Sequence, residues 1–158
     1  MPVTQIEADL SEISCRIGIV VSRWNSFITD AMLEGALEVL KGNGIPEEDI
    51  LVVKCPGSYE IPLTVKKLLP NVDGVVAIGA VIRGDTPHFD YVCDAVNRGI
   101  TDLNLSSGKP VSFGVLTTDT VQQARERATA GGSKGNKGSE AAIALLEMIS
   151  VTRQLDNL

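Results

Sequence analysis

Four short apolar runs, each followed by a segment whose apolar residues repeat at helical spacing, constrain the fold of this 158-residue chain more than any other feature. Nearly continuous runs rich in Val and Ile are typical of parallel strands that helices cover on both faces. The predicted strands span residues 15–22, 50–55, 73–80 and 110–117. Because strands that alternate with helices form parallel sheets with right-handed crossovers, the sequence predicts an α/β fold, a three-layer αβα sandwich around a four-stranded parallel sheet.

The segments between the strands carry recognisable helix signals. Ser26 is predicted to cap the first helix, and Gly42 and Gly44 to end it. The second predicted helix begins within residues 56–60 and ends near Leu69, and the third begins at Pro87, after an N-cap at Thr86, and ends near Leu105. The fourth follows a cap at residues 118–120 and ends near Ala130, and the fifth extends from Ser139 to about Arg153. Residues 131–138 are predicted to form a glycine-rich loop, and residues 1–14 an extended arm.

Length and net charge limit the classes of protein to which this chain could belong. The length and the 44% hydrophobic content suit a single domain over residues 1–158. A net charge of −6 disfavours nucleic acid and anionic membrane surfaces as partners, because both select clustered Lys and Arg. With no signal-peptide pattern and no apolar run of membrane-spanning length, a cytoplasmic location is expected. The three cysteines lack metal-site spacing and are expected to be buried, reduced thiols.

The polar and glycine-bearing segments fall where the four strands end. They are Arg23-Trp24-Asn25, residues 56–60, residues 83–88 and residues 117–120. Since ligands of open parallel sheets bind beyond the carboxyl ends of the strands, we expect the functional site at this edge.

Residues 84–88 carry the clearest chemical signal. The turn Gly84-Asp85-Thr86 presents backbone N–H groups beside the positive end of a helix, an arrangement that suits a phosphate. His88, the only histidine, lies within one turn of it, and an imidazole is a common proton-transfer group in enzymes. An anion site beside a proton-transfer group predicts chemistry on a small phosphorylated molecule.

Each candidate also has a purely structural interpretation. Trp24 could belong to the core or offer an open stacking surface, and His88 could be a surface capping residue. Gly57 could only permit a tight turn, and Glu60 could only complement a helix dipole. One histidine and scattered cysteines cannot supply a usual metal site. The glycine-rich loop lacks phosphate-loop spacing, and no G-x-G-x-x-G motif follows the first strand, so a nucleotide cofactor is not expected.

Five segments together resemble the lumazine synthase family. They are RWN (23–25), PGSYEIP (56–62), GAVIRGDTPHFDYV (79–92), FGVLTTDT (113–120) and GNKGSEAA (135–142), and the resemblance extends over residues 13–153. It implies a transferase of flavodoxin-like topology that condenses 5-amino-6-(ribitylamino)uracil with 3,4-dihydroxy-2-butanone 4-phosphate in riboflavin biosynthesis. Phosphate and water are released, and no cofactor is implied.

The resemblance also implies roles for individual residues. Trp24 would stack on the pyrimidine, Val81 and Ile82 would line the heterocycle, and His88 would transfer protons. The substrate ring and ribityl chain would contact Ser58, Tyr59 and Glu60, while the phosphate would contact Gly84, Asp85, Thr86 and Arg127. Phe113, Arg127 and Lys137 would come from a neighbouring subunit, so the site would exist only in an oligomer.

Two departures from the family pattern shape further expectations. Many relatives have Phe in place of Trp24, and the larger ring is reminiscent of members that bind riboflavin. The segment between Arg127 and Lys137 is about two residues longer than in relatives that build 60-subunit shells, which favours a homopentamer. Two alternative functions stay open: a flavin or lumazine carrier without turnover, and a flavodoxin-like electron carrier. The electron carrier would require a phosphate-binding loop directly after the first strand, where this sequence has Arg23-Trp24-Asn25.

Overall fold

The computed structural model describes residues 2–129 and 134–158. Its sheet contains four parallel strands: β1 (Ile17–Ser22), β2 (Ile50–Cys55), β3 (Gly74–Ile82) and β4 (Val111–Thr118). Their order is β2-β1-β3-β4. The chain passes from β1 to β2 on one side and then returns to place β3 on the other side, so the switch point of the topology lies between β1 and β3. The predicted α/β class and parallel sheet are confirmed.

In the described part of the chain, five α-helices cover the sheet: α1 (Ser26–Gly42), α2 (Ile61–Leu68), α3 (His88–Ser107), α4 (Val121–Glu126) and α5 (Lys137–Asp156). Alternate residues of β3 point into two separate cores. Val76 and Ile78 pack in the core that contains residues of α1, α4 and α5, whereas Val75 and Ala77 pack in the core that contains residues of α2 and α3. The molecule is therefore the predicted three-layer sandwich of the flavodoxin-like kind.

The third strand is longer than predicted. The pattern placed its end at Ala80, but β3 continues through Val81 to Ile82 because these residues pair with Thr117 and Thr118 of β4. Its last two residues thus extend the sheet toward the predicted site. At the other end of the sheet, β1 begins at Ile17, two residues later than predicted, where pairing with both neighbouring strands starts.

Several helix ends also differ from the predictions. Asn25, in a left-handed conformation with φ 63°, precedes α1, and its carbonyl accepts the N–H groups of Ile28 and Thr29. The predicted cap Ser26 is therefore the first helical residue. Helix α4 ends at Glu126 instead of near Ala130. The chain turns there, since the N–H of Lys137 donates to the carbonyl of Arg127 at 2.7 Å.

Helix α5 begins at Lys137, two residues before the predicted start, because the Asn136 side chain accepts the N–H of Ser139 at 3.1 Å. Part of the predicted glycine-rich loop, residues 131–133, and the predicted helix end at Ala130 lie outside the described residues. At the other terminus, residues 2–10 form neither helix nor strand, and the N–H of Asp9 donates to Ser150 Oγ of α5 at 2.9 Å.

All three cysteines are free thiols; Cys15 and Cys55 are buried and Cys93 is partly so. Burial raises the pKa of each thiol, and that of Cys15 reaches about 11. These thiols are therefore neutral near pH 7, as expected for cysteines that fill the core.

Candidate functional site

A pocket of about 680 Å³ opens at the switch point between β1 and β3. It is bounded by the segments that follow β1, β2 and β3 and by the first turns of α3. Nine of the predicted site residues line it: Trp24, Ser58, Tyr59, Glu60, Val81, Ile82, Gly84, Thr86 and His88. Residues far apart in sequence thus converge at the edge of the sheet where the pattern placed the site.

Trp24 has its side chain in the open part of this pocket. The backbone of its loop is tied to the loop after β2, since the N–H of Arg23 donates to Cys55 at 2.8 Å and that of Trp24 donates to Pro56 at 2.9 Å. The side chain of Asn25 donates to the carbonyl of Ala80 on β3 at 3.0 Å. Trp24 is 62% exposed, so it is a surface ring and not a core residue.

The segment after β2 contributes both polar and aromatic groups. Ser58–Glu60 forms a single 3-10 turn, and the Glu60 carboxylate accepts the N–H of Gly57 at 3.2 Å. Tyr59 is 64% exposed at the pocket. The hydroxyl of Ser58 is buried and has no hydrogen-bond partner within the described part of the chain. The oxygen lies against β3, since a methyl group added at Gly79 would be 2.5 Å from it.

The predicted anion turn lies between β3 and α3. Helix α3 begins at His88 and not at Pro87, because the carbonyl of Pro87 accepts the N–H groups of Asp90 and Tyr91 at 3.0 and 3.4 Å. Thr86 Oγ1 accepts the N–H of His88 at 3.4 Å, so Thr86 still contacts the helix start although the boundary shifts by one residue. Gly84, Thr86 and His88 are exposed at the pocket. Asp85 is exposed and is not among the residues that line it.

Arg83 joins this turn to the segment after β4, a role that sequence reasoning did not assign. Its N–H donates to the carbonyl of Thr118 at 2.9 Å, and its Nε donates to Asp119 Oδ1 at 2.8 Å. The guanidinium also lies 3.5 Å from Asp90 and 4.4 Å from the centre of the Phe89 ring. Hydrogen bonding to Asp119 raises the pKa of Arg83. These contacts attach residues 83–90 to the end of β4 and attach Arg83 to the start of α3.

Five further residues line the pocket without having been assigned roles: Asn25, Ala80, Phe89, Tyr91 and Val92. Phe89, Tyr91 and Val92 belong to the first turns of α3. Their place in the quoted motif gave a signal, since residues one to four positions after His88 begin the same helix and share its end of the sheet.

The remaining predicted residues lie elsewhere. Phe113, Arg127 and Lys137 line a second cleft of about 520 Å³, together with Lys134, Glu140 and residues 115–118 of β4. No residue described as lining this cleft also lines the pocket. Arg127 is held in place because its guanidinium donates to the carbonyl of Gln123 at 2.9 Å. One copy of the chain therefore presents the predicted site as two separate surfaces.

The charges of the two surfaces differ. Among the described residues that line the pocket there is no Lys or Arg, and Glu60 is its one carboxylate. The cleft contains Arg127, Lys134 and Lys137 against the single carboxylate of Glu140. Within residues 2–129 and 134–158, no group of three His, Cys, Asp or Glu side chains could hold a metal ion. In that same part of the chain, no helix combines the length and the apolar character required to cross a membrane.

Fold and pocket define a three-layer α/β protein of the flavodoxin-like kind with a small-molecule-sized pocket at its switch point. The family model described as 6,7-dimethyl-8-ribityllumazine synthase matches residues 14–153. The chain therefore belongs to the lumazine synthase family, a family of transferases in riboflavin biosynthesis. This confirms the resemblance drawn from the sequence motifs, and it implies small-molecule substrates and an oligomeric assembly.

Proposed function

We propose that the pocket and the cleft are two halves of one site, at which 5-amino-6-(ribitylamino)uracil condenses with 3,4-dihydroxy-2-butanone 4-phosphate. The observation that carries this proposal is the convergence of Trp24, Glu60 and His88 on one pocket in a chain whose family makes 6,7-dimethyl-8-ribityllumazine. The product is the lumazine, with release of phosphate and water. A cytoplasmic location, expected from the sequence, is part of the proposal.

The pocket supplies the surface for the pyrimidine. Trp24 stacks on the ring, and Val81 and Ile82 line its other side. Ser58, Tyr59 and Glu60 hold polar ring atoms and ribityl hydroxyls. The place of all three residues in the lining of the pocket supports this assignment.

The phosphate binds at the turn formed by Gly84, Asp85 and Thr86, with Asp85 contributing its backbone N–H. A phosphate is doubly charged near neutral pH, and its strongest partners are cationic side chains. The pocket's described lining contains none, whereas the cleft contains three. We therefore assign Arg127 as the counter-charge of the phosphate, delivered with Phe113 and Lys137 from a neighbouring copy of the chain.

His88 transfers protons in this scheme. The attack of an amine on a carbonyl and the loss of phosphate and water each require a proton to move, and His88 lies beside the anion turn. Proton transfer by a positioned side chain contributes typically about 10²–10⁴-fold, whereas holding two reactants in attack geometry contributes about 7–11 kcal/mol. Positioning of the two substrates should therefore contribute more to the rate enhancement than proton transfer by His88.

The direct test mixes the purified protein with the two substrates and follows the absorbance of the lumazine product. We expect turnover without an added cofactor, and release of inorganic phosphate in step with lumazine formation. A pocket that binds the pyrimidine but forms no lumazine would support instead the carrier without turnover.

A second candidate function is the binding of riboflavin at Trp24. The favouring observation is the 62% exposure of this ring within the pocket, which leaves a face free to stack on a flavin. Because Trp24 is the only tryptophan, its fluorescence reports this contact alone. We expect quenching at micromolar riboflavin. An unchanged emission there, with catalysis intact, would remove this function and leave the synthase proposal standing.

The assembly that we propose is a homopentamer, in which each copy gives its pocket to one neighbour and its cleft to the other. Head-to-tail contacts of this kind form a ring when the rotation between neighbouring copies closes, and in this proposal it closes after five. The sequence support is the longer segment between Arg127 and Lys137, part of which lies outside the described residues. Light scattering should give five chain masses. A particle of megadalton mass would contradict the pentamer in favour of a 60-subunit shell.

A further inference from the structure

We propose that Gly57 is a positioning residue for Trp24: by having no side chain, it sets where the stacking ring lies in the pocket. A methyl group added at Gly57 would lie 2.5 Å from Cζ3 of Trp24 and closer still to Cε3. Cβ atoms essentially never approach other atoms so closely, so the ring and a side chain at position 57 cannot both occupy these places. This inference rests on the proposed function, in which Trp24 stacks on the pyrimidine.

The requirement at this position is for space and not for backbone freedom. Gly57 has φ −132° and ψ −179°, an extended conformation that any residue adopts. Alanine can therefore replace it without straining the chain. The consequence of the substitution should be confined to the side chains that meet the new methyl group.

The two backbones cannot separate easily to admit that methyl group. The N–H groups of Arg23 and Trp24 donate to the carbonyls of Cys55 and Pro56, which fixes the loop after β1 against the residue that precedes Gly57. The ring, in contrast, is 62% exposed, so solvent and not protein borders much of its surface. Moving Cζ3 from 2.5 Å to an ordinary contact distance of 3.5–4.0 Å requires a ring displacement of about 1.0–1.5 Å, and the closer Cε3 must move further. We expect the ring, and not the backbone, to move.

A displacement of this size matters for a stacking surface. Misplacement by about 1 Å can cost about 10²-fold in rate. We expect Gly57→Ala to lower kcat/KM for the pyrimidine by about 10- to 100-fold. Most of the loss should appear as a higher KM for that substrate. The KM for the phosphorylated substrate, which binds at the other end of the pocket, should change little.

One other side chain lies near the added methyl group. Glu60 Oε2 is 3.3 Å from the same point, and this carboxylate accepts the N–H of Gly57. A loss of activity in Gly57→Ala alone therefore does not distinguish displacement of Trp24 from displacement of Glu60. A double-mutant cycle separates the two.

The experiment compares Gly57→Ala in the parent protein with Gly57→Ala in a Trp24→Ala background. If Gly57 acts by placing the ring, the substitution costs about 10- to 100-fold in the parent and less than about twofold once the ring is absent. The Trp24 emission of Gly57→Ala should also shift as the ring moves. Gly42→Ala is the matched control, because Gly42 is exposed in α1 and nothing lies within 4 Å of its added methyl group.

Equal losses in the two backgrounds, or an unchanged Trp24 emission in Gly57→Ala, would overturn the role of Gly57 and leave the proposed function intact. An unchanged KM for the pyrimidine in Trp24→Ala alone would contradict the stacking role, and with it the function on which the inference rests. Loss of folding in Gly57→Ala, checked by circular dichroism, would also count against the inference, because the backbone conformation there suits alanine.

Discussion

The pocket and the cleft are built from the same sheet but have opposite character. The pocket follows β1, β2 and β3 and offers aromatic rings, apolar side chains and one histidine. The cleft runs beside β4, at the edge of the sheet, and offers three cations. Each surface has what the other lacks for holding a flat heterocycle and a phosphate together. The difference is the basis of the proposal that a pocket and a cleft from neighbouring copies form one site.

Removing the main cation of the cleft, Arg127, is the strongest test of whether the cleft belongs to the site. We expect Arg127→Ala to lower kcat/KM by about 10³-fold, comparable to losing a key donor to a developing charge, because the phosphate loses its principal counter-charge. Steady-state kinetics with both substrates measures the effect. Arg125→Ala is the matched control, since Arg125 is exposed in α4 two residues before Arg127, lies over Phe27 and does not line the cleft. An Arg127→Ala enzyme with the activity of the parent protein would show that the cleft is not part of the site.

Mixing two inactive variants tests whether the halves come from different copies. A variant impaired in the pocket, Trp24→Ala with His88→Ala, is co-expressed with the cleft variant Arg127→Ala. In a ring with head-to-tail contacts, random mixing restores about a quarter of the sites to two intact halves. Activity should therefore rise to about a quarter of the parent value. Mixing after purification, without subunit exchange, is the control and should restore nothing. No recovery on co-expression would contradict the proposal that neighbouring copies supply the two halves of one site.

Substitution of His88 should have a smaller effect than loss of Arg127. We expect His88→Ala to lower kcat by about 10²-fold without abolishing turnover, the lower end of what a positioned acid or base contributes. The KM values should change little, because binding depends on other groups. His88→Gln, which keeps a polar side chain that cannot act as an acid or base, should behave like His88→Ala. An inert His88→Ala beside an active Arg127→Ala would reverse the ranking.

The sequence predicted the sheet well because its signals were local. Buried parallel strands produce apolar runs that are visible without knowledge of the fold, and the four runs became the four strands within about two residues. Helix ends were harder. The cap at Asn25 depends on a left-handed backbone, and the early start of α5 depends on the side chain of Asn136, neither of which periodicity reveals.

The site was predictable as a set of loops but not as a geometry. The rule that ligands bind beyond strand ends placed Trp24, Glu60 and His88 together, and the structure brings them to one pocket. The residue types alone could not tell that Arg127 would lie on a different surface from His88; that expectation came from the family resemblance. Nor could they reveal the close approach of Gly57 to the Trp24 ring, because it is a distance between two loops that follow different strands.

The smallest expected effect concerns the link between the two regions. Asp119 holds the guanidinium of Arg83 at 2.8 Å, and this pair ties the anion turn after β3 to the end of β4, beside the cleft. Both side chains are about half exposed or more, and exposed ion pairs are worth about 0.2–1 kcal/mol. We therefore expect Asp119→Asn to raise the KM for the phosphorylated substrate by about two- to fivefold, with the KM for the pyrimidine unchanged. The difference should shrink in high salt, which screens the ion pair.

Asp94→Asn, which weakens another exposed pair on α3 away from both surfaces, is the control. Equal effects on both substrates would mean that the pair supports the fold generally and not the anion turn.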